Sequence, residues 1–270
     1  MNNTFNIKRF GRYLGYDLLN ARNNAWLSIL IMGIAPVIGF VFVQFFSMVT
    51  EGTWADSTMD AMRVFAFIMV FIAAVIILPR KVYGSITDKR AGSSWILLPA
   101  STLEKFLSML IVTCVVAPLL LGIALLASDT LLGLIFPNSY GIPLVSGGFP
   151  DLSEMKESLQ DSGLHINLGG AFYLSWCENI LIFTLGAICF RKSKTAKTIL
   201  FYILATGVLT TILSVGVIQN VNDFSVTSED SVEVIGHFAS MANVAVNIFY
   251  PVIFAILDGG IYYRIRTIKQ

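Results

Sequence analysis

The chain alternates between long apolar runs and short polar segments, and the runs restrict its fold more than any other feature. Six of them, 25–49, 59–78, 106–127, 169–190, 198–218 and 237–263, are long enough to cross a bilayer. A crossing of the roughly 30 Å hydrocarbon core takes about 20 helical residues. Because lipid cannot satisfy free backbone groups, and because the runs lack the alternation of barrel strands, each run is predicted to be a helix. The predicted fold class is all-α, a polytopic membrane protein with six transmembrane helices.

The composition excludes an ordinary soluble domain, since 56% of the residues are hydrophobic and only 13% are charged. The net charge of +1 does not indicate a nucleic-acid partner. Cys114, Cys177 and Cys189 lie inside apolar runs without the spacing of metal ligands, so they are predicted to be small apolar side chains. No metal site is expected.

The basic residues fix the expected orientation in the membrane. All but two of the 18 Lys and Arg residues fall before span one, between spans two and three, between spans four and five, or after span six. The exceptions are Arg63 and Lys156, and most acidic residues lie in the alternate segments. By the positive-inside rule, both termini are predicted to be cytoplasmic.

Residues 1–24 precede the first span and are amphipathic. Apolar residues recur with helical spacing from Ile7 to Leu18, opposite Lys8 and Arg12. The pattern predicts an interfacial helix with basic side chains at the lipid headgroups, and a frayed basic leader is the alternative. Residues 25–270 then form the transmembrane domain, in which 128–168 is the largest external loop and has no assignable role.

The polar segment 80–105 between spans two and three is the most informative. Pro79 is expected to end span two, and a short apolar stretch from Ser93 to Leu98 is followed by Pro99. Ser101 and Glu104 have the spacing of a capping box that starts the next helix. The segment therefore predicts a short helix at the cytoplasmic membrane face, held at both ends by transmembrane helices, through which a partner could move spans two and three.

Three polar residues inside the spans are functional candidates, because ionisable and polar groups are costly in hydrocarbon. Glu178 near the middle of span four is either a proton, cation or substrate site, or a structural acid bonded to Tyr173, Asn179 or another helix. Asp258 in span six is a second functional candidate. The simpler interpretation is that it forms an ion pair with Arg264 or Arg266. Gln44 is expected either to line a polar path through the membrane or to form a hydrogen bond with a neighbouring helix.

Other residues of the spans are interpreted structurally. Arg63 is expected to reach toward water and to pair with Asp56 or Asp60. Pro36 and Pro118 are expected to kink spans one and three.

Several kinds of chemistry have no visible site in the chain. It lacks GxxxxGK[ST], GxSxG, HExxH and a GxGxxG after a strand, so no catalytic residue is predicted and the chain is not expected to be an enzyme. Any energy from nucleotide hydrolysis must come from another subunit.

The segment 80–105 also carries a resemblance to a known family. Asp88-Lys89-Arg90-Ala91-Gly92-Ser93, then Leu97-Leu98-Pro99-Ala100-Ser101 and Glu104-Lys105-Phe106, resembles the coupling signature of ABC-2 type exporter permeases. Two differences are an Asp at 88, where Glu is commoner, and a long external loop after span three instead of after span five.

The resemblance implies a bacterial inner-membrane exporter permease with six spans and an N-terminal interfacial helix. It implies a homodimer, or a dimer with a related permease, bound to a cytoplasmic ATP-binding subunit that holds ATP and Mg²⁺. The implied coupling residues are Asp88, Lys89, Arg90, Gly92, Ser93, Leu97 and Pro99. The alternatives are a non-transporting membrane scaffold or accessory subunit, and an intramembrane enzyme or ion carrier using Glu178 and Asp258. The substrate cannot be predicted.

Overall fold

The structure is a computed structural model that describes residues 5–54, 60–88, 91–146, 168–222 and 251–268. Every regular element in these ranges is helical, which confirms the all-α class. The α-helices are α1 Ile7–Gly33, α2 Ala35–Thr50, α3 Asp60–Tyr83, α4 Ala91–Leu97, α5 Thr102–Leu110, α6 Ala117–Ile135, α7 Pro137–Tyr140, α8 Leu168–Cys189, α9 Lys194–Asn222 and α10 over 251–267. Shorter elements are 3₁₀ turns at Gly84–Thr87 and Leu144–Ser146 and a π-helical segment at Ile111–Val116.

Four segments of the described chain are long and apolar enough to span a membrane. They are Ile7–Thr50, Met62–Thr87, Thr102–Ile135 and Phe172–Cys189, and they contain most of the first four predicted spans. The fifth predicted span lies within α9, and only 251–263 of the sixth lies within the described residues. A membrane protein with several transmembrane helices is therefore supported, and the number six stays a prediction.

The N-terminal helix and the first span are continuous. α1 runs from Ile7 to Gly33 without a break at residue 24, so the predicted interfacial helix is the first part of a longer helix. The interruption comes instead at Ile34, and Pro36 occupies the first turn of α2. Proline, which lacks a backbone N–H, is tolerated in the first turn of a helix because the N–H groups of that turn have no acceptor within the helix. The helix is thus interrupted close to Pro36, while a kink there and the interfacial position of residues 7–24 stay predictions.

Pro79 does not end the second span, and that expectation is wrong. α3 continues through Pro79 to Tyr83, and a 3₁₀ turn extends it to Thr87. Proline removes one backbone hydrogen bond from the helix, and contacts with a neighbouring helix hold the chain beyond it. Two side chains beyond Pro79 contact α1: Lys81 Nζ donates to Ser28 Oγ at 2.6 Å, and the Tyr83 hydroxyl donates to Asp17 Oδ2 at 3.0 Å.

The third span changes its helical type just before Pro118. The π-helical segment Ile111–Val116 joins α5 to α6. Because Pro118 has no N–H, it cannot bond the carbonyl of Cys114, four residues earlier. That carbonyl accepts a hydrogen bond from the Tyr173 hydroxyl at 2.9 Å, and the Thr113 carbonyl accepts one from Trp176 Nε1 at 3.2 Å. Side chains of α8 therefore replace bonds that the third span lacks.

The expected external loop begins later than residue 128. α6 continues through Ser128 to Ile135, and α7 and a 3₁₀ turn follow it. Residues 147–167 of this loop lie outside the described part of the chain.

The core lies mainly between α3 and α8, where Ala74 and Leu78 pack in one buried cluster with Ile180 and Ile188. A second close packing joins α1 to α6. A Cβ at Gly33 would come within 2.6 Å of the Ala124 Cβ, and the Ser128 hydroxyl donates to the Gly33 carbonyl. Small residues let helices approach closely inside membranes, so these positions fix the register of the bundle.

Candidate functional site

The structure gathers the four basic segments of the sequence at one end of the bundle. Contacts between segments include Arg9 with Glu104, Arg80 with Thr195, Lys194 with Asp88, and Arg264 with the Ile188 carbonyl. We call this the basic end. It comprises the starts of α1, α5 and α9, the ends of α3, α8 and α10, and the segment with α4. Its cytoplasmic location remains a prediction from the positive-inside rule.

The short helix predicted in the segment 80–105 is confirmed as α4, Ala91–Leu97. It follows Asp88, whose backbone carbonyl accepts a hydrogen bond from the N–H of Gly92 at 2.8 Å. Gly92 is buried, and Pro99 follows the end of the helix. Lys89 and Arg90 lie outside the described residues, and Ser93 is described only as part of the α4 backbone.

Trp95 attaches α4 to two neighbouring helices. Its Nε1 donates to the Tyr13 hydroxyl of α1 at 3.0 Å. Its backbone carbonyl accepts from Lys105 Nζ of α5 at 2.8 Å, and the same ammonium lies 4.3 Å from the centroid of the Trp95 ring. A displacement of α4 therefore acts directly on α1 and α5.

The capping box predicted at the start of α5 is confirmed. Ser101 Oγ accepts from the Glu104 N–H at 3.3 Å, and Glu104 Oε2 accepts from the Ser101 N–H at 2.9 Å. The Glu104 side chain is fully buried and also accepts from Arg9 Nε at 2.7 Å and from the Asn6 N–H at 2.9 Å. Residues on α1 thus complete the cap of α5. The sequence indicated the cap but not its partners on α1.

Asp17 is a buried acid that sequence reasoning missed. It is 2% exposed, and its Oδ2 accepts from the Tyr83 hydroxyl at 3.0 Å and from Ser108 Oγ at 2.7 Å. One carboxyl group therefore connects α1, α3 and α5. A signal was available, because Asp17 is the one acid in a basic amphipathic helix and lies one turn after Tyr13.

Part of the segment with α4 is open to a partner. The Leu97 side chain is 77% exposed, although it is a large apolar residue, and Pro99 is exposed too. Asp88 is 56% exposed while its carboxylate pairs with Lys194 at 2.9 Å. Beside it lies a pocket of about 630 Å³, lined by Asp88, by basic side chains from the end of α3 and from 191–194, and by small uncharged residues.

The three intramembrane candidates lie in different surroundings. Gln44 is buried on α2, 6% exposed. Glu178 is half-buried and close enough to Tyr202 of α9 to interact electrostatically. The two residues expected to bond Glu178 have other acceptors. Tyr173 donates to the Cys114 carbonyl, and Asn179 donates to the Ser175 carbonyl.

Asp258 lacks the expected ion pair within the described residues. Arg264 donates instead to the backbone carbonyls of Ile188 and Cys189, at 3.1 and 3.5 Å. Asp258 Oδ1 is buried and has no hydrogen-bond partner in the described part of the chain.

The opposite end of the bundle holds a buried ion pair. Arg63 is 3% exposed and binds Asp129 through Nε at 3.1 Å and through Nη2 at 2.9 Å. The expectation that Arg63 reaches water is therefore wrong. Asp129 also accepts from the Tyr140 hydroxyl at 2.7 Å and from the Leu144 N–H at 2.8 Å. Burial raises the pKa of Tyr140 and the bond to Asp129 raises it further, so the phenol stays a proton donor.

Comparisons of the chain with protein-family models, with curated proteins and with solved structures gave no match. The function must therefore be argued from the residues and contacts described above.

Proposed function

We propose that the chain is the membrane permease subunit of an ATP-driven exporter in a bacterial cytoplasmic membrane. One observation carries the proposal: α4 is a short helix between two candidate transmembrane helices, bonded to α1 through Trp95 and Tyr13 and to α5 through Lys105. A helix of this kind can transmit movement of a bound subunit into the bundle. The resemblance of residues 88–106 to the coupling signature of ABC-2 type permeases supports the same conclusion.

Coupling would use two routes. A force on α4 reaches α1 through the Trp95 to Tyr13 hydrogen bond, and it reaches α5 through Lys105 and the Pro99 corner. Glu104 joins the routes, because it caps α5 and binds Arg9 of α1. α5, the π-helical segment and α6 form the third candidate span, so movement at α4 is passed into the membrane.

The ATP-binding subunit would bind ATP and Mg²⁺, and it would dock on the exposed side of this segment. Leu97 offers an apolar contact, and the pocket beside Asp88 offers basic side chains to an acidic partner surface. Two permease chains, identical or related, would form the path for the substrate. ATP binding would draw the two ATPases together and move both α4 helices.

Co-purification tests the proposal first. The chain extracted from its native membrane in a mild detergent is expected to carry an ATP-binding subunit that hydrolyses ATP. Absence of any such subunit, in several detergents and after chemical cross-linking, would contradict the proposal and favour a scaffold.

A pair of variants then tests the docking surface. Leu97→Gln is expected to weaken association of the ATPase, because it removes an exposed apolar contact on α4. Ile7→Gln is the matched control, since Ile7 is 74% exposed on α1 near the basic end and lies outside the segment with α4. Equal ATPase retention by both variants would contradict docking at α4.

A further inference from the structure

A cleft in the surface of the bundle lies between three elements that come from distant parts of the chain. Its walls are the third span around the π-helical segment, α8 and α10. Six of its lining residues are Ile111, Val115, Leu174, Leu181, Phe254 and Asp258, and this shallow groove has a volume of about 460 Å³.

The cleft is apolar except for one acid. The lining residues other than Asp258 are aliphatic, aromatic or cysteine side chains. Asp258 Oδ1 is buried and has no hydrogen-bond partner among the described residues. A charged carboxylate in such a place is costly unless a cation or a donor accompanies it.

The position of the acid fits a ligand with a polar head and an apolar tail. Asp258 lies six residues before Arg264 in α10, which is roughly 9 Å along a helix at about 1.5 Å per residue. Arg264 bonds the backbone at the end of α8, at the basic end. A head at Asp258 therefore lies near that membrane face, and a tail would extend along Ile111, Val115 and Phe254.

The cleft is open at the surface of the bundle, at residues that are expected to face the lipid. Val115 at its rim is 43% exposed and Leu174 is 37% exposed. A ligand can therefore enter sideways from the leaflet at the basic end. The π-helical segment lines the cleft through Ile111, Cys114 and Val115, and the Cys114 carbonyl accepts a hydrogen bond from Tyr173 of α8.

We propose that this cleft binds a single-chain cationic amphiphile, with its ammonium group on the Asp258 carboxylate and its alkyl chain along the third span. Charge complementarity decides the class of ligand. An anionic head would repel the carboxylate, and a neutral head could supply hydrogen-bond donors but no compensating charge, whereas an ammonium group supplies both. The site is independent of the proposed transport function, because binding needs neither ATP nor a second subunit.

Photolabelling of the purified full-length chain in phosphatidylcholine vesicles tests the proposal. The probe is an alkylammonium with a photoreactive group on its chain, and the labelled peptides are mapped by mass spectrometry. We expect label on the peptides that contain Val115 and Leu181, and we expect an unlabelled alkylammonium to compete for it. Equal competition by an alkyl sulfate of the same length would overturn the role of charge.

Two variants with one control define the site. Asp258→Asn is expected to reduce labelling about tenfold, as for the loss of one charge-assisted hydrogen bond. Glu178→Gln is the control, since Glu178 is an acid of α8 that does not line the cleft and that interacts electrostatically with Tyr202 of α9. Equal losses in both variants would overturn the proposal.

Val115→Trp is a second test of the site, and it leaves Asp258 unchanged. The larger indole side chain at the rim is expected to fill the entrance of the cleft. This variant is expected to reduce labelling as well, and unchanged labelling would overturn the cleft as the site. Disulfide cross-linking between copies through Val115→Cys would show that a second copy of the chain covers the cleft, which would also overturn the proposal.

Discussion

The two ends of the bundle hold buried carboxylates in different ways. At the opposite end, Asp129 receives donors from Arg63, Tyr140 and the Leu144 N–H, and the Arg63 and Asp129 side chains are at most 4% exposed. At the basic end, the Arg9 partner of Glu104 is 31% exposed, and the described partners of Asp17 are two hydroxyl groups.

The difference indicates which end can change. A buried pair with several donors is lost only at a large cost, because any broken contact leaves a charge in apolar surroundings. At the basic end Glu104 is fully buried, but Arg9 can reach water when the pair opens and Glu104 keeps two backbone donors, so opening this pair costs less. The opposite end therefore fixes α3 against α6, while the contacts of α4 and the start of α1 can rearrange when a partner binds.

The largest expected effect is at Asp129. Asp129→Ala leaves Arg63 buried without its carboxylate, and we expect a loss of about 3–5 kcal/mol in the free energy of unfolding. Thermal unfolding in detergent measures it, with Thr130→Ala as the control, because Thr130 bonds only within its own helix in the described contacts. The double variant Arg63→Met with Asp129→Leu should recover much of the loss. A small effect of Asp129→Ala alone would remove the distinction between the two ends.

Glu104→Ala should come second, with a smaller effect on global unfolding than Asp129→Ala. The released Arg9 can reach water, so no charge is stranded in the interior. We expect the main change to be local, as faster hydrogen exchange in α4 and in the first turns of α1 and α5. Faster exchange throughout α3 and α6 instead would contradict the idea that the basic end rearranges independently.

Tyr140→Phe removes one donor to Asp129 and keeps the aromatic ring that lies 4.6 Å from the Arg63 guanidinium carbon. Because the other donors remain, we expect a loss of about 1.5 kcal/mol, the lower part of the range for hydrogen bonds to charged groups. The measurement is again thermal unfolding in detergent. A loss equal to that of Asp129→Ala would mean that Tyr140, and not Arg63, carries the stability of this cluster.

The smallest effect is expected at Trp95. Trp95→Phe removes the hydrogen bond to Tyr13, which is worth about 1 kcal/mol. Hydrogen exchange of α4 should accelerate accordingly, and combination with Tyr13→Phe should add little, because both variants remove the same bond. Full additivity of the two variants would show that this bond does not attach α4 to α1.

Local patterns in the sequence predicted much of this fold. Apolar runs identified the first four candidate spans, and the spacing of Ser101 and Glu104 identified the cap of α5. Pro79 shows the limit of such reasoning, since proline ends many helices but is tolerated where neighbouring helices hold the chain on both sides.

The candidate site depended more on contacts between distant segments. The pairing of Arg63 with Asp129, and of Arg9 with Glu104, joins residues far apart in the chain. Periodicity within one helix does not encode which face meets which neighbour, so these pairs could not be read from the sequence. For the same reason Asp258 was expected to pair with arginines close by in its own helix, and the cleft around it was not foreseen.

The exchange of hydrogen bonds at Pro118 has a mechanical consequence for the third span. Tyr173 and Trp176 supply donors to the Cys114 and Thr113 carbonyls from outside the helix, so the span can bend there without losing a backbone partner. The span therefore consists of two helical segments that meet at Ile111–Val116. Asp129 fixes one segment against α3, and Lys105 attaches the other to α4.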